Sequence, residues 1–314
     1  MNEISRRDFL GTILRGSLAF CIPSHSRAEE RRLKADGFTR SRVVEVEGPV
    51  EESLKIIVNE LGGIERFIRP GDTVLIKPNM SFPNPPERAT TTDPEVVRAM
   101  IDLSLGAGAR RIFVVDHPMR SSRLCLKRTG MDDVCKKYKN VHLIGAVKEN
   151  LYKDVSIPNT KELKKTKIIR PFLLADVIIN IPRMKSHSAT VVSLGTKGNM
   201  GLIWDRRSFH VRLDLDEAIA DLNTFIQADL TILDGTRVLT SGGPLGPGMV
   251  KPLNCLIGGT DPLAVDAYGA ERVKWYGRTF KSWQIPHLVA CHKRGIGEID
   301  LDRIEVVRRK VAGL

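Results

Sequence analysis

Charged and polar side chains collect directly after several short apolar segments that are predicted strands. In a mostly parallel sheet the carboxyl ends of the strands lie at one edge, and ligands bind at that edge. Several separate strand ends deliver ionisable groups there, which predicts a polar, cation-rich site. The alternative is that loops after strands are polar in any protein. The side chains concerned are Lys77, Asn79, Asp116, Asn180, Lys185, His187 and Asp234.

Two glycine-rich segments add to this pattern. The first, residues 195–201 (GTKGNMG), carries Lys197 and Asn199 in a backbone that a ligand can approach closely. It is neither the G-x-G-x-x-G fingerprint nor a Walker A loop, so it predicts no nucleotide site. The second, residues 241–248 (SGGPLGPG), can cradle an anion with backbone N–H groups or close as a lid. For each segment a tight turn without a ligand role is the alternative.

Two histidines lie beside these groups in the sequence. His187 follows Lys185 by two positions, and His210 comes shortly after the first glycine-rich segment. An imidazole at either position can move protons near neutral pH or bind a metal ion. The competing interpretation is a hydrogen-bonded structural histidine.

Three aspartates are the candidates for orienting a histidine or binding a metal: Asp116, Asp234 and Asp266. His287 and Cys291 are separated by one helical turn and could form a metal pair. No further ligand lies near them in sequence, which favours a structural role for both.

Short β-branched runs alternate with helical segments, and aspartates before several of these segments are typical of helix N-caps. The alternation predicts an α/β fold with a mostly parallel sheet covered by helices, and two lobes with a cleft at the strand C-terminal ends. We expect a lobe boundary within 145–167, where charged residues concentrate. The predicted strands are 43–46, 73–76, 112–115, 141–144, 177–181, 230–233 and 253–257, and the predicted helices are 51–61, 94–106, 214–227 and 262–275.

The overall composition is that of a globular protein with a basic balance. The 314-residue chain has a formal net charge of +12, and aromatic residues make up 5% of it. No run of five or six like charges occurs, and aromatic platforms for stacking bases are scarce. These features favour a solvated basic surface and predict no nucleic-acid partner.

The cysteines argue against an iron–sulfur cluster held by this chain alone. No two of them form a C-x-x-C pair, and a ferredoxin-type cluster needs closely spaced thiolates. Their spacing does not determine any disulfide pairing. The cysteines are Cys21, Cys125, Cys135, Cys255 and Cys291.

The N-terminus carries an export signal. Residues 5–10 read SRRDFL, the twin-arginine pattern S-R-R-x-F-L, and an apolar run from Phe9 to Ile22 follows. This run contains Arg15 and is shorter than the roughly 20 residues of a membrane-spanning helix. Small residues at 26–28 suit a signal peptidase, and an ordinary amphipathic helix is the alternative.

This pattern divides the chain into a signal peptide (1–28), a linker (29–40) and an α/β domain (41–314). It predicts export in the folded state by the twin-arginine translocase to the periplasm, with no stable membrane span after processing.

The same motifs resemble the family called domain of unknown function 362. The resemblance implies an α/β domain, which some other members join to ferredoxin modules whose Cys spacing this chain lacks, and it implies no particular reaction. It marks as motif positions Lys77, Asn79, Lys185, His187, Lys197, Asn199, His210, Asp234 and Asp266. The matching stretches are 77–79, 92–99, 175–187, 197–201, 218–222, 233–235 and 261–267.

The sequence therefore predicts an exported enzyme that acts on a small anionic molecule carrying phosphate or carboxylate groups, with or without a metal. The binding groups would be Lys77, Asn79, Lys185, Lys197 and Asn199, and the catalytic groups His187 and His210. The alternatives are a non-catalytic protein that binds a ligand or metallocofactor, and a redox accessory protein that needs a separate ferredoxin-like partner. The identity of any cofactor stays open at this point.

Overall fold

The structure is a computed structural model that describes residues 40–312. The predicted signal peptide and nearly all of the linker lie outside the described residues. The described residues belong to one compact unit. None of their helices has the length and apolar character that a membrane-spanning segment requires.

Strands and helices alternate along the described chain, as the sequence predicts. The strands are β1 Arg42–Glu47, β2 Thr73–Pro78, β3 Arg111–Asp116, β4 Val141–Gly145, β5 Tyr152–Ser156, β6 Lys165–Ile169, β7 Val177–Ile181, β8 Arg183–His187, β9 Val191–Ser193, β10 Leu230–Leu239, β11 Val250–Gly259 and β12 Glu305–Lys310. The helices are α1 Val50–Glu60, α2 Pro94–Gly106, α3 Ser122–Arg128, α4 Met131–Cys135, α5 Arg170–Leu174, α6 Gly195–Gly198, α7 Arg206–Val211, α8 Leu215–Phe225, α9 Pro262–Glu271 and α10 Pro286–Lys293. Short 3₁₀ turns cover Ile64–Arg66, Pro86–Arg88, Glu149–Leu151, Asn199–Leu202, Ser282–Gln284 and Leu301–Arg303.

One large sheet organises the fold. Its strand order is β12-β1-β11-β10-β7-β2-β3-β4, with β8 paired to β10 and β9 paired to β8. The pairs β7–β10, β2–β7, β2–β3 and β3–β4 are parallel, whereas β11 is antiparallel to both β1 and β10. The predicted mostly parallel α/β sheet is therefore confirmed.

The chain reverses its direction of progress across the sheet between β2 and β7. From β2 it moves outward through β3 to β4, and then returns to place β7 on the other side of β2. In open α/β sheets such a switch point leaves a crevice at the strand ends, where ligands bind. Lys77 of β2 and Asn180 of β7 are register partners at this point.

Helices cover both faces of the sheet because buried strands present apolar side chains alternately to each face. In β2, Val74 and Ile76 pack in one hydrophobic cluster with residues of α1 and α2, such as Leu54 and Met100. Leu75 faces the opposite cluster, which contains residues of α8 and α9.

The helix starts follow from the capping aspartates. The Asp93 side chain accepts a hydrogen bond from a first-turn amide of α2, Asp214 accepts two in α8, and Asp261 accepts two in α9. The ends of α8 at Phe225 and of α9 at Glu271 come earlier than the sequence pattern indicates.

Two predicted strand ends differ in the structure. Strand β10 continues to Leu239 because it pairs with β11 over most of its length, so Asp234 lies inside the strand. Residues 183–187 form strand β8, because they pair with β9 and β10. A single-sequence pattern does not reveal such pairing, since it depends on partners far along the chain.

The segment 145–167, where the sequence suggests a lobe boundary, contains β5 and most of β6. These strands form an antiparallel hairpin. Tyr152 and Val155 of β5 pack in the same hydrophobic cluster as Leu233 of β10. The hairpin is thus part of the core on one face of the large sheet.

The described cysteines are free thiols buried in the protein: Cys125, Cys135, Cys255 and Cys291. Burial raises the pKa of Cys125 to about 11 and that of Cys135 to about 12. At neutral pH these two side chains are therefore protonated thiols, which are poor nucleophiles and poor metal ligands.

Candidate anion-binding site

Lys77 lies at the switch point, at the end of β2. Its Nζ atom is 3.3 Å from Oδ1 of Asp116, the last residue of the neighbouring strand β3, and both side chains are 1% exposed. The other carboxylate oxygen of Asp116 accepts a hydrogen bond of 2.6 Å from the backbone N–H of Met80. The parallel pairing of β2 with β3 brings this buried ion pair together.

Lys185 reaches the same region from β8. Its Nζ atom donates to the carbonyl oxygen of Thr90 at 2.6 Å and lies 3.3 Å from Oδ1 of Asn79. The ammonium group also lies 5.2 Å from the centre of the Phe82 ring, which is a cation–π distance. Lys185 is buried, and the groups that contact it here are neutral.

Lys197 is held in place by the first glycine-rich segment, which forms the short helix α6. The carboxylate of Asp266 accepts hydrogen bonds of 2.7 Å from the backbone N–H groups of Gly195 and Thr196 and from the Thr196 hydroxyl. Asp266 therefore anchors the turn that carries Lys197. Lys197 itself is 5% exposed.

The same segment approaches the Lys77–Asp116 pair so closely that it needs glycine. A Cβ atom on Gly201 would lie 1.8 Å from Oδ1 of Asp116 and 2.8 Å from Cε of Lys77. Asn199, two residues earlier, donates a hydrogen bond of 2.8 Å to the side chain of Asn223 in α8. Asn199 thus fastens the segment to α8.

Arg206, which belongs to none of the sequence motifs, joins these lysines from α7. Its guanidinium donates a hydrogen bond of 2.6 Å to the carbonyl oxygen of His117, while its Nε has no hydrogen-bond partner among residues 40–312. The available sequence signal is its position one helical turn before His210. We call Lys77, Lys185, Lys197 and Arg206 the cation cluster.

Electrostatic repulsion within the cation cluster is strong. Burial lowers the pKa of Lys185 well below its ordinary value, and the nearby charge of Lys197 lowers it further. Burial also lowers the pKa of Lys197 to about 7, with added repulsion from Arg206 and Lys77. The carboxylate that partly offsets these charges is Asp116, which interacts with Lys77, Lys185 and Arg206.

Two predicted histidines stack at the edge of the cluster. The rings of His187 and His210 are nearly parallel, with an interplanar angle of 11° and centroids 6.1 Å apart. The backbone N–H of Ala189 donates to Nδ1 of His187 at 3.1 Å, so the proton of the neutral ring is on Nε2. His187 is buried, whereas His210 is exposed.

Loss of water contact, together with the charges of the cation cluster, keeps these histidines neutral. Burial lowers the pKa of His187 to about 2, and the charges of Lys197 and Lys185 contribute to this shift. The pKa of His210 is also lowered, because its ring has lost part of its water contact and because the charges of Lys197 and Arg206 repel a proton. Without an anion nearby, both imidazoles are therefore uncharged at neutral pH.

His287 is a third histidine beside this group. It lies in α10 with 0% exposure, and neither ring nitrogen has a hydrogen-bond partner among the described residues. Burial lowers its pKa to about 3, and the charge of Lys197 lowers it further. His287 is in turn one of the groups that lower the pKa of His187.

The candidate metal ligands Asp234 and Asp266 have other partners. Asp234 forms a fully buried ion pair with Arg183 at 3.0 Å and accepts a hydrogen bond of 2.7 Å from the backbone N–H of Asp93. Asp266 anchors the turn that carries Lys197. Among residues 40–312, no group of three or more His, Cys, Asp or Glu side chains is arranged to hold a metal ion.

The second glycine-rich segment is docked on strand β8. The backbone N–H of Gly243 donates to the hydroxyl of Ser186 at 3.0 Å, and a Cβ on Gly243 would lie 1.8 Å from the Ser186 carbonyl oxygen. Asn84 donates to the carbonyl oxygen of Leu245 at 3.0 Å. In this arrangement the segment packs over the strand that carries Lys185 and His187.

The structure brings together most of the predicted site residues and gives the others supporting positions. Those in mutual contact or electrostatic interaction are Lys77, Asn79, Lys185, Lys197, His187, His210 and Asp116. Asn199, Asp234 and Asp266 hold neighbouring backbone or side chains. Arg206 is an addition that only the tertiary structure reveals, and His287, which the sequence pairs with Cys291, interacts with Lys197 and His187 instead.

Two known proteins are similar to this chain over about three quarters of its length or slightly less. A relative, the thylakoid-associated protein sll1697 of Synechocystis sp., is 29% identical over 242 residues, which are 74% of this chain and 73% of that protein. The apoprotein structure of lactate racemase from Thermoanaerobacterium thermosaccharolyticum matches with a TM-score of 0.44 and 12% identity, over 71% of this chain and 54% of that one.

A family model described as Domain of unknown function (DUF362) matches residues 74–271. This range is more than half of the chain, and it contains the whole cation cluster, whereas His287 lies beyond it. The chain therefore belongs to the DUF362 family.

Proposed function

We propose that this protein is an enzyme that acts on a small molecule bearing phosphate or carboxylate groups, bound at the cation cluster. The observation that carries this proposal is the excess of cationic groups at a topological switch point: Lys77, Lys185 and Arg206 share the carboxylate of Asp116, and Lys197 adds a fourth cationic group. Burying an uncompensated charge costs several kcal/mol, so a protein retains such charges where a ligand supplies the opposite charge.

The cation cluster supplies the binding groups. Lys77 and Lys185 enter from adjacent parts of the sheet, Lys197 enters from α6, and Arg206 enters from α7. Charge-assisted hydrogen bonds from ammonium and guanidinium groups to anionic oxygens are about twice as strong as neutral ones. Asn79, which contacts Lys185, is placed to orient that ammonium group.

The titration behaviour favours catalysis over simple capture. A pure anion trap needs lysines that stay charged, whereas the Lys197 pKa of about 7 lets its amine gain or lose a proton at neutral pH. The neutral His187 ring offers a second proton-carrying group at Nε2. An amine and an imidazole with perturbed pKa values beside an anion site are typical of acid–base catalysis.

Binding is tested first, by calorimetric titration with inorganic phosphate, pyrophosphate and oxalate. We expect Lys185→Met to weaken binding by about 10- to 100-fold, because a charge-assisted hydrogen bond is worth about 1.5–3 kcal/mol. The exposed Lys153 provides the matched control, and Lys153→Met should bind like the wild type. Failure of the wild type to bind any of the three anions at millimolar concentration would contradict the proposal.

Turnover is tested next, with the molecule that co-purifies with the protein, identified by mass spectrometry. We expect wild-type protein to convert it and His187→Gln to bind it without converting it. A molecule that is returned unchanged by the wild type would make this a binding protein instead. Conversion by His187→Gln at the wild-type rate would remove His187 from the mechanism.

The export prediction belongs to this proposal and is supported by the residues 5–10 alone. We expect the protein to accumulate in the periplasmic fraction, and replacement of both arginines by lysine, Arg6→Lys with Arg7→Lys, to retain it in the cytoplasm. Cell fractionation followed by immunodetection measures this. Equal export of both forms would refute twin-arginine transport.

A further inference from the structure

His287 has a combination of properties that its surroundings in the fold do not explain. It is fully buried, and both of its ring nitrogens lack hydrogen-bond partners among the described residues. Buried polar groups are nearly always hydrogen-bonded, because an unpartnered one loses its hydration without replacement. A leucine of similar size would pack at this position without that cost.

The position of His287 connects it to the cation cluster. Helix α10 packs against α8 and α9, the two helices that hold the segment carrying Lys197. The charge of Lys197 acts on the His287 ring, and the His287 ring acts on His187. The unpartnered imidazole therefore lies within electrostatic range of Lys197, on a helix that packs against the two helices holding the turn of Lys197.

We propose that His287 is a binding residue of this site, whose ring N–H donates a hydrogen bond to an oxygen of the bound phosphate or carboxylate group. The inference rests on the proposed function, since it needs an anion in the cation cluster. It assigns a role to a residue outside the segment that matches the DUF362 family model.

A hydrogen bond from His287 gives the ligand a contact that the lysines cannot provide. Lysine ammonium groups attract an anion as point charges, whereas an imidazole N–H fixes the direction of one acceptor oxygen. Lys197 and His187, whose electrostatics are coupled to His287, would bind the same anionic group. The three side chains together would orient one anionic group against the turn formed by α6.

The inference and a purely structural role predict opposite changes in stability. If the His287 ring has no hydrogen-bond partner until an anion binds, His287→Leu removes a buried unsatisfied polar group. This variant should then raise the melting temperature of the anion-free protein by a few degrees. The same variant should bind pyrophosphate at least about tenfold more weakly. His287→Gln, which keeps an N–H donor, should recover part of this affinity.

The experiment combines thermal unfolding with calorimetric titration of pyrophosphate into the wild type, both variants and His142→Leu as a control on strand β4. Pyrophosphate binding by His287→Leu that equals wild-type binding would overturn the inference and leave the proposed function intact. Absence of pyrophosphate binding by the wild type would overturn both.

A measurement on the wild type covers the case in which the variants do not fold. In protein labelled with ¹⁵N-histidine, pyrophosphate should shift the ring nitrogen signals of His287 as well as those of His187 and His210. Signals of His287 that do not move while those of His187 do would refute the inference.

Discussion

Replacing Lys197 by methionine should stabilise the anion-free protein. The side chain is 5% exposed, and burial lowers its pKa from 10.5 to about 7. Folding at pH 7 therefore forces an amine that is charged in the unfolded chain to lose much of its charge. At about 1.4 kcal/mol per pKa unit, this penalty is roughly 4 kcal/mol. Methionine has a similar shape and carries no such penalty.

The sign of the pH dependence follows from the same pKa values. Between pH 7 and 10.5 the unfolded chain binds a proton at this lysine that the folded protein does not, so wild-type stability rises with pH in this window. The stability advantage of Lys197→Met should be largest at pH 7 and below and should disappear toward pH 10.5.

The assay is thermal unfolding of the wild type, Lys197→Met and the control Lys153→Met, from pH 6 to pH 10 in buffers free of phosphate and sulfate. For a protein of this size about 4 kcal/mol corresponds to a shift on the order of 8 °C at pH 7. Added pyrophosphate should raise the melting temperature of the wild type above that of Lys197→Met, since a ligand stabilises only the protein that binds it. A Lys197→Met variant that melts at or below the wild type at every pH would refute this reasoning.

Three further predictions concern the groups that build the site. Gly201→Ala should cost about 1–3 kcal/mol of stability and weaken pyrophosphate binding, because its methyl group overlaps a buried carboxylate oxygen. The control Gly106→Ala should not destabilise the protein, because a Cβ atom on Gly106 would have no heavy atom within 4 Å. Burial raises the Asp266 pKa to about 6, so the wild type should lose up to about 3 kcal/mol of stability as the pH rises from 4 to 6. Asp266→Asn cannot ionise and should not show this loss. A stability difference between the two proteins that does not change with pH would contradict this. Asp234→Ala should destabilise by about 3–5 kcal/mol, because it leaves Arg183 buried without its partner. A loss below 1 kcal/mol by chemical denaturation would show that this pair is not structural.

Asp234 lies at a family motif position, but it forms a buried ion pair with Arg183 rather than facing a ligand. The apolar run 230–233 followed by a polar triplet is typical of a strand that ends, which places Asp234 at the ligand edge. Pairing with β11 carries the strand five residues further, to Leu239, and Asp234 pairs with Arg183 instead. Long-range strand pairing overrode the local pattern here, as it does for β8.

Local sequence patterns were enough to predict the α/β alternation, the starts of the helices capped by Asp93, Asp214 and Asp261, and the polar ends of β2 and β3. These features depend on periodicity and on hydrogen bonds between residues close in the chain, such as the cap that Asp93 provides for α2. Lys77 and Asp116 follow from them, because parallel neighbours end at the same edge of a sheet.

Contacts between distant parts of the chain set which side chains face the site and which support it. Asp266 holds the turn of Lys197 from 70 residues away, and His287 interacts electrostatically with Lys197 from a helix that follows no strand end. Arg206 likewise enters from a short helix with no motif of its own. Such contacts are set by how distant elements pack together, and the identity and spacing of neighbouring residues carry no record of that packing.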